Sequence, residues 1–390
     1  MGVYVHIPFC EQKCSYCDFY SVVVGAGEFS SLTDNYLVSL RQEALYYRAL
    51  WGDSPLTTIF FGGGTPSLLP PEKLADLIAF LRTELPFVTD PEITIEANPH
   101  SLTEAGAEAL AAAGVNRVSL GAQSFQDDLL KAIGRLHRAE QISESVRSLR
   151  RAGIDNINLD LIFGLPGQSV RHWQETLEQA AALQPTHLSC YALILEPGTP
   201  LAAWHEAGLV QLPNDDDQAD MYGLARSLLR SAGYEHYEIS NFCLPGCACQ
   251  HNLLYWRNRP HIALGTAAAG YVNRCRYINA PDLHGYLQSW QSGNPNYLEC
   301  EQVGVEQEMD DTMMVGMRLI AGVAEEEFRH RFGVSYWDVY GEEITELVER
   351  GLVVEVEGSL RVTEQGLFLE NMVSGAFLRG AGPLDKGGAK

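Results

Sequence analysis

Along the chain, short runs dense in Val, Ile, Leu and Phe alternate with longer stretches whose apolar residues recur every three or four positions. The short runs predict strands at Val3 to Ile7, Thr57 to Phe61, Glu92 to Glu96, Asn116 to Leu120, Asn156 to Phe163 and His187 to Leu195. Between them the longer periodicity predicts helices over Leu32 to Leu50 with Thr33 as N-cap, Pro71 to Leu85 with Pro in its first turn, and Thr103 to Ala113 stopped by Gly114. Further helical stretches run to Ala152, to Leu183, and from about Asp215 to Ala232.

Strands and helices in strict alternation imply a parallel sheet under helices. Six such units are too few for an eight-fold barrel, so residues 1–232 read as an open α/β sheet. Each glycine or polar motif (GGGTP, Glu96 with ANP, GAQSF, Asp160 with IFGLPG) lies at the carboxyl end of a strand, where barrels of this kind gather their chemistry. Residues 233–304 break the pattern, with one expected strand at Tyr234 to Ser240 and the loop CLPGCACQHNLLYW. From residue 305 to 378 helices are predicted at Glu306 to Ile320, Glu325 to Phe332 and Tyr336 to Arg350. A hairpin, Val353 to Val356 with Leu360 to Thr363, and a last helix to Leu378 complete a winged-helix pattern. The tail 379–390, RGAGPLDKGGAK, reads as disordered.

Composition narrows the class. The 390 residues are 46% hydrophobic and 20% charged, which suits a globular chain of more than one domain. No apolar run is long enough to span a membrane, no signal peptide precedes the first strand, and nine cysteines without one point to a reducing, cytoplasmic setting. The formal charge of −23 opposes nucleic acid, and Glu325, Glu326, Glu327, Glu342 and Glu343 sit where a DNA-binding winged helix would need a basic stripe.

The sharpest chemical signal is Tyr4 to Phe19, YVHIPFCEQKCSYCDF, which sets Cys10, Cys14 and Cys17 in a C-x3-C-x2-C run. Three thiolates hold three corners of a metal centre and select iron–sulfur clusters or zinc. Zinc would need a fourth ligand, for which His6 is the nearby candidate, whereas an iron–sulfur cube with three ligands leaves one iron open. The spacing alone leaves both readings standing.

This run, with its leading YVHIPFC and Tyr16, resembles the radical S-adenosylmethionine (SAM) enzymes, within them the branch holding oxygen-independent coproporphyrinogen III dehydrogenase (HemN) and the heme chaperone HemW. The resemblance covers Tyr4 to about Leu378. It implies an open three-quarter (β/α)6 TIM-like radical SAM barrel followed by a small C-terminal winged-helix-like domain of the HemN_C type. It implies a [4Fe-4S] cluster on Cys10, Cys14 and Cys17, with SAM chelating the fourth iron. On the same ground, SAM is expected against Gly63, Gly64 and Thr65 of the GGGTP loop. Its ammonium is expected at Glu96, its carboxylate at Arg135, and its ribose at Gln123 and Asp160, with Tyr4 and Tyr16 as flanking contacts.

Three departures from the dehydrogenase pattern point to the chaperone side. Cys17-Asp18-Phe19 ends the run where the dehydrogenase continues C-x-C; only three residues precede Tyr4, where the dehydrogenase has an arm; and His251 to Trp256, HNLLYW, resembles the chaperones' HNxxYW. An imidazole beside aromatic faces suits heme, so His251, Tyr255 and Trp256 are the expected heme residues. Cys243, Cys247 and Cys249, just before them, leave open a second metal site, a thiolate heme ligand or small core residues, and their spacing matches no zinc pattern. ALGTAAAG, at 263–270, is less glycine-rich than in relatives. The expected function is to bind heme and pass it to acceptor hemoproteins. The alternative is radical oxidative decarboxylation of coproporphyrinogen III. Expected partners are heme and its acceptors, including peripheral contact with membrane hemoproteins, for a monomer or homodimer with no membrane-spanning segment.

Overall fold

The structure, a computed structural model, describes residues 1–379. The chain divides into two compact units. The first is Met1–Glu235, Phe242–His251 and Pro260–Glu301; the second is His236–Asn241, Asn252–Arg259 and the chain from Gln302 onward. Residues 233–304 thus contribute to both units.

The strands in chain order are β1 (Gly2–Ile7), short β2 (Phe9–Cys10) and β3 (Val22–Val23), β4 (Leu56–Gly63), β5 (Phe87–Ala97), β6 (Arg117–Gln123), β7 (Asn156–Phe163) and β8 (His187–Ala192). They are followed by β9 (Glu235–Glu238), β10 (Asn241–Cys243), β11 (His261–Leu264), β12 (Ala269–Val272), β13 (Cys275–Asn279) and β14 (Tyr297–Gln302). In the first unit's sheet, β1, β4, β5, β6, β7 and β8 are neighbours in that order and pair in parallel. These are the six expected barrel strands. β11 adds itself in parallel to the other side of β1, and β12, β13 and β14 continue that edge.

Alternation sorts the barrel strands into two faces. On one face Ile157, Leu159, Leu161, Val118, Leu120 and Leu188 are fully buried. On the other, registered neighbours are polar: Thr94 with Arg117 with Asn156, Glu96 with Ser119 with Asn158 with His187, and Asp160 with Ser189. A parallel strand buried on both faces is ordinarily apolar on both, so this polar face marks an interior built for something other than packing.

Local chemistry explains most element ends. Thr103, Ser169 and Asn214 cap the helices Glu104–Ala112, Val170–Ala182 and Asp215–Ser231 by accepting backbone N–H bonds. The expected cap at Thr33 is corrected: the first helix, Ala26–Trp51, starts a full turn and more earlier at an N-cap glycine, Gly25, and Thr33 is buried within it. The helical stretch to Ala152 is two helices, Asp127–Ala132 and Ala139–Arg151, separated by the turn carrying Arg135.

The second unit packs the helices Val305–Gly316, Glu325–Phe332 and Tyr336–Glu349 around Met313, Met317, Phe328, Tyr340, Ile344 and Leu360. A three-stranded sheet of β15 (Val323–Ala324), β17 (Ser359–Val362) and β16 (Val353–Val356) closes it as the expected wing. The last helical stretch is split into Glu364–Leu367 and Glu370–Gly375. Arg329 and Arg331, basic residues of the middle helix, are paired with Glu325 and Glu308. Of the expected disordered tail, Arg379 is ordered. It donates to Asp310 at 2.8 Å and lies 4.8 Å over the Tyr340 ring, while 380–390 lie outside the described residues. Among the described residues no helix is long and apolar enough to cross a membrane.

Candidate functional site

The cysteine loop leaves the carboxyl end of β1 and returns through β3, which pairs with β2 in parallel, Phe9 with Val22 and Cys10 with Val23. Ser15 fastens it at both sides: its N–H donates to the Ile133 carbonyl at 3.2 Å, and its carbonyl accepts from the Leu201 N–H at 2.9 Å. The three cysteines, free thiols in this fold, are each partly exposed on this clamped loop. Burial pushes the Cys17 thiol up to about 11 and raises Cys10, so ligation by a metal must supply the force that removes their protons.

His6 answers the question of zinc. Its Nε2 donates to the Tyr20 carbonyl at 2.9 Å, and its Nδ1 accepts from the Tyr4 hydroxyl at 3.1 Å. With both nitrogens engaged and burial holding the ring near pKa 4, His6 is a neutral strut under the loop and not a fourth ligand. No three His, Cys, Asp or Glu side chains among the described residues converge on a point that would hold a single ion. Ligands of a cube bind separate irons and have no need to meet at a point.

The GGGTP glycines make room for the chain beside them. A Cβ on Gly63, whose φ is +112°, would stand 2.5 Å from the His6 ring, and one on Gly64 would stand 2.6 Å from the Phe9 carbonyl. Their missing side chains make room for β1 and the cysteine loop. In the same turn the Gly63 N–H donates to Glu96 Oε2 at 3.1 Å, and the Thr65 hydroxyl lies 3.6 Å from Cys10 Sγ and accepts from Asn98 Nδ2 at 3.0 Å.

Arg135 joins these parts. Its Nη2 donates to Asn98 Oδ1 and to the Gly121 carbonyl, both at 2.6 Å, and its Nη1 reaches Cys14 Sγ at 3.6 Å. Asn98 and Gly121 thus hold its Nη2. The buried Nε, however, has no partner. Asp160 accepts from Ser119 and Asn158 at 2.8 Å each. Burial and the nearby Asp160 push the Glu96 carboxyl up to about 8, and burial raises Asp160 as well. Two half-buried acids that repel each other, near a guanidinium whose Nε has no partner, form a donor set that fits a zwitterionic ligand with an ammonium end.

Gln123 sits on the same rim at φ +63°, where β6 slips register against β7 between Leu120 and Gln123. Tyr16 packs instead against the apolar group Leu129, Ile133, Ile162 and Leu201. Tyr4 bonds His6 and lies near Phe60, with ring centres 6.2 Å apart. Ser119 and Asn158 escaped the sequence reading, although N-x-N-x-D in β7 and R-x-S in β6 carry the period-two polar signal that marks them.

The His251 motif lies elsewhere. The helix Gln250–Trp256 begins at Glu92, whose carboxylate accepts the N–H groups of Gln250 and His251 at 3.1 Å each. His251 is 1% exposed, its Nδ1 is 2.7 Å from Thr58 Oγ1, and its ring is stacked on Phe60. The ring is part of the core at the amino end of β4. Thr58 and Gly62 are four positions apart on that strand, about 13 Å at the usual rise. His251 and the cysteine loop therefore occupy opposite ends of the barrel strands. Trp256, in the second unit, lies under the Arg318 guanidinium at 4.6 Å, and Tyr255 is half-buried. Cys243 and Cys249 are buried, and Cys249 Sγ is 3.7 Å from Glu92 Oε1, so these two are core residues. A depression of about 580 Å3 at the same end is lined by Val88, Asp90, Pro91, Glu92, Asn116 and Gln250 among others.

Residues 4–180 match the model of the radical SAM superfamily, and residues 305–369 match the HemN C-terminal domain. The chain is 37% identical to heme chaperone HemW of Bacillus subtilis, over 97% of this chain and 99% of that protein. Identity to heme chaperone HemW of Synechocystis is 40% over 83% of this chain and 79% of that one. For the Escherichia coli protein of the same name it is 34%, over 96% and 97%. Among solved structures, coproporphyrinogen III oxidase (HemN) from Escherichia coli, a radical SAM enzyme, superposes with a TM-score of 0.82 at 24% identity, covering 96% of this chain and 89% of that one.

Proposed function

The chain belongs to the HemW family of HemN-like radical SAM proteins, and from that membership we propose that it binds heme and hands it to acceptor hemoproteins. The observation that carries the reading is this near-full-length relation to proteins named heme chaperones.

In this reading Cys10, Cys14 and Cys17 would hold three irons of a [4Fe-4S] cluster. Glu96 and Asp160 would receive the ammonium and ribose of SAM, and the free Nε of Arg135 would turn to its carboxylate. Such a cluster supplies an electron to SAM when both are bound. Asn98 keeps Arg135 from pairing directly with the acids, and Ser119 and Asn158 hold Asp160 so that its oxygens do not rotate away.

Heme is the cargo, and His251 remains the residue proposed to meet it. Ligation would require its ring to leave Thr58 and Phe60, which couples heme loading to opening at the amino end of the barrel. A heme held there would lie a strand length from the SAM residues. That favours carriage over radical attack on the porphyrin.

An anaerobic titration tests this, with heme binding read by absorbance and products analysed after coproporphyrinogen III is added. We expect one heme per chain, no protoporphyrinogen, and an altered heme spectrum in His251→Ala. Decarboxylation at an enzyme-like rate of about one per minute or faster would overturn the function. A wild-type heme spectrum in His251→Ala would leave His251 a core residue only and move the heme site elsewhere.

A further inference from the structure

The radical SAM reading uses three of the nine cysteines, and two others meet at the far edge of the sheet. Cys275 begins β13 and Cys300 lies in β14, the outermost strand, which neighbours β13. Their Sγ atoms are 3.2 Å apart although 25 positions separate them in sequence. Cys275 is partly buried and Cys300 exposed, with the rest of β14 almost wholly open to solvent.

We propose that Cys275 and Cys300 are a modification site: a dithiol that closes to a reversible cross-strand disulfide with a low-molecular-weight disulfide such as oxidised glutathione as oxidant. A disulfide holds its sulfurs at about 2.0 Å, so the pair needs to close by about 1.2 Å, within reach of a side-chain rotation. The order of events follows from exposure. The Cys300 thiolate attacks one sulfur of the oxidant, whose S–S bond breaks and releases one thiol. Cys275 then attacks the Cys300 sulfur and releases the second thiol. Two protein thiols lose two hydrogens and two electrons, and one oxidant molecule is reduced to two thiols. Cys275 suits the second role by position: it is the less exposed of the two, so a bulk oxidant reaches Cys300 first, and its Sγ already lies 3.2 Å from the Cys300 sulfur it must attack.

The bridge would fasten the exposed edge strand two residues before the chain enters the second unit at Gln302. The test uses the cluster-loaded full chain, incubated anaerobically with oxidised glutathione, blocked with an alkylating agent and mapped by peptide mass spectrometry without reduction. We expect a peptide linking Cys275 to Cys300, two hydrogens lighter than the sum, and its loss on adding dithiothreitol. In Cys275→Ser the glutathione adduct should persist on Cys300, because no resolving thiol remains. A wild-type protein that keeps both thiols free to alkylate, or that carries stable glutathione on Cys300 with no linked peptide, overturns the proposal.

Discussion

Replacing Gly63 by Ala probes how the glycine loop supports the cysteine loop. The added Cβ would lie 2.5 Å from His6 Cε1, 2.6 Å from Nδ1 and 2.8 Å from Nε2, where ordinary contact begins at 3.4 Å. The ring must retreat by most of an ångström. It cannot do so freely, because Tyr4 and the Tyr20 carbonyl hold its two nitrogens. An alanine at φ +112° adds about 1–3 kcal/mol of backbone strain. Loss of a buried hydrogen bond at His6 adds about 1–3 kcal/mol. The expected destabilisation is about 2–6 kcal/mol. It should be concentrated on the segment from Cys10 to Tyr20 that the Tyr20 bond anchors. Urea unfolding of the variant, with iron retained after anaerobic reconstitution, measures both effects. Adding His6→Ala removes the clash but not the strain, so the double variant should be less destabilised than the sum of the two single changes. Strict additivity, or a Gly63→Ala protein as stable as wild type, would refute the reasoning.

Two further outcomes follow from the site. Cys14→Ala should lose the iron that wild type takes up on reconstitution, while Cys243→Ser and Cys247→Ser keep it, as read by iron analysis and by the visible absorbance of the cluster. The Glu96 carboxyl sits raised to about 8, so below that pH it enters the complex protonated, and an arriving ammonium lowers it again. SAM binding should therefore release up to about one proton, and affinity should rise from about pH 6 to about pH 7.5. Glu96→Gln should abolish both effects, as read by calorimetry in buffers of different ionisation enthalpy; unchanged proton release would place the SAM ammonium elsewhere.

Much of this was legible in the sequence because the barrel's signals are local. β7 reads as a strand over Asn156–Phe163 from its own alternation, and the helix Glu325–Phe332 from its own periodicity. The cysteine spacing needs no tertiary partner to be seen. What escaped depends on contacts far apart in sequence. β11 is four residues long and is a strand because β1 pairs with it, which nothing near His261 reveals. The burial of His251 is set by Thr58, Phe60 and Glu92, and the motif reads the same whether its imidazole faces solvent or the barrel interior. The His6 ring packed against Gly63 was likewise hidden, because a glycine records that something comes close without recording what.

The position of β1 between β4 and β11 has a consequence for the protein's birth. Gly2 pairs with Thr58 on one side and with His261 on the other, 259 positions downstream. At about 5–20 residues per second a ribosome needs roughly 13–50 s to deliver that second partner after the first strand has emerged. Through that interval the strand carrying the cysteine loop has one bare edge, and the Tyr36 hydroxyl that braces His6 lacks the Thr266 N–H that donates to it. The loop that carries Cys10, Cys14 and Cys17 thus reaches its braced form only in the finished polypeptide, and the nascent chain is at its most vulnerable to edge-to-edge association while it waits.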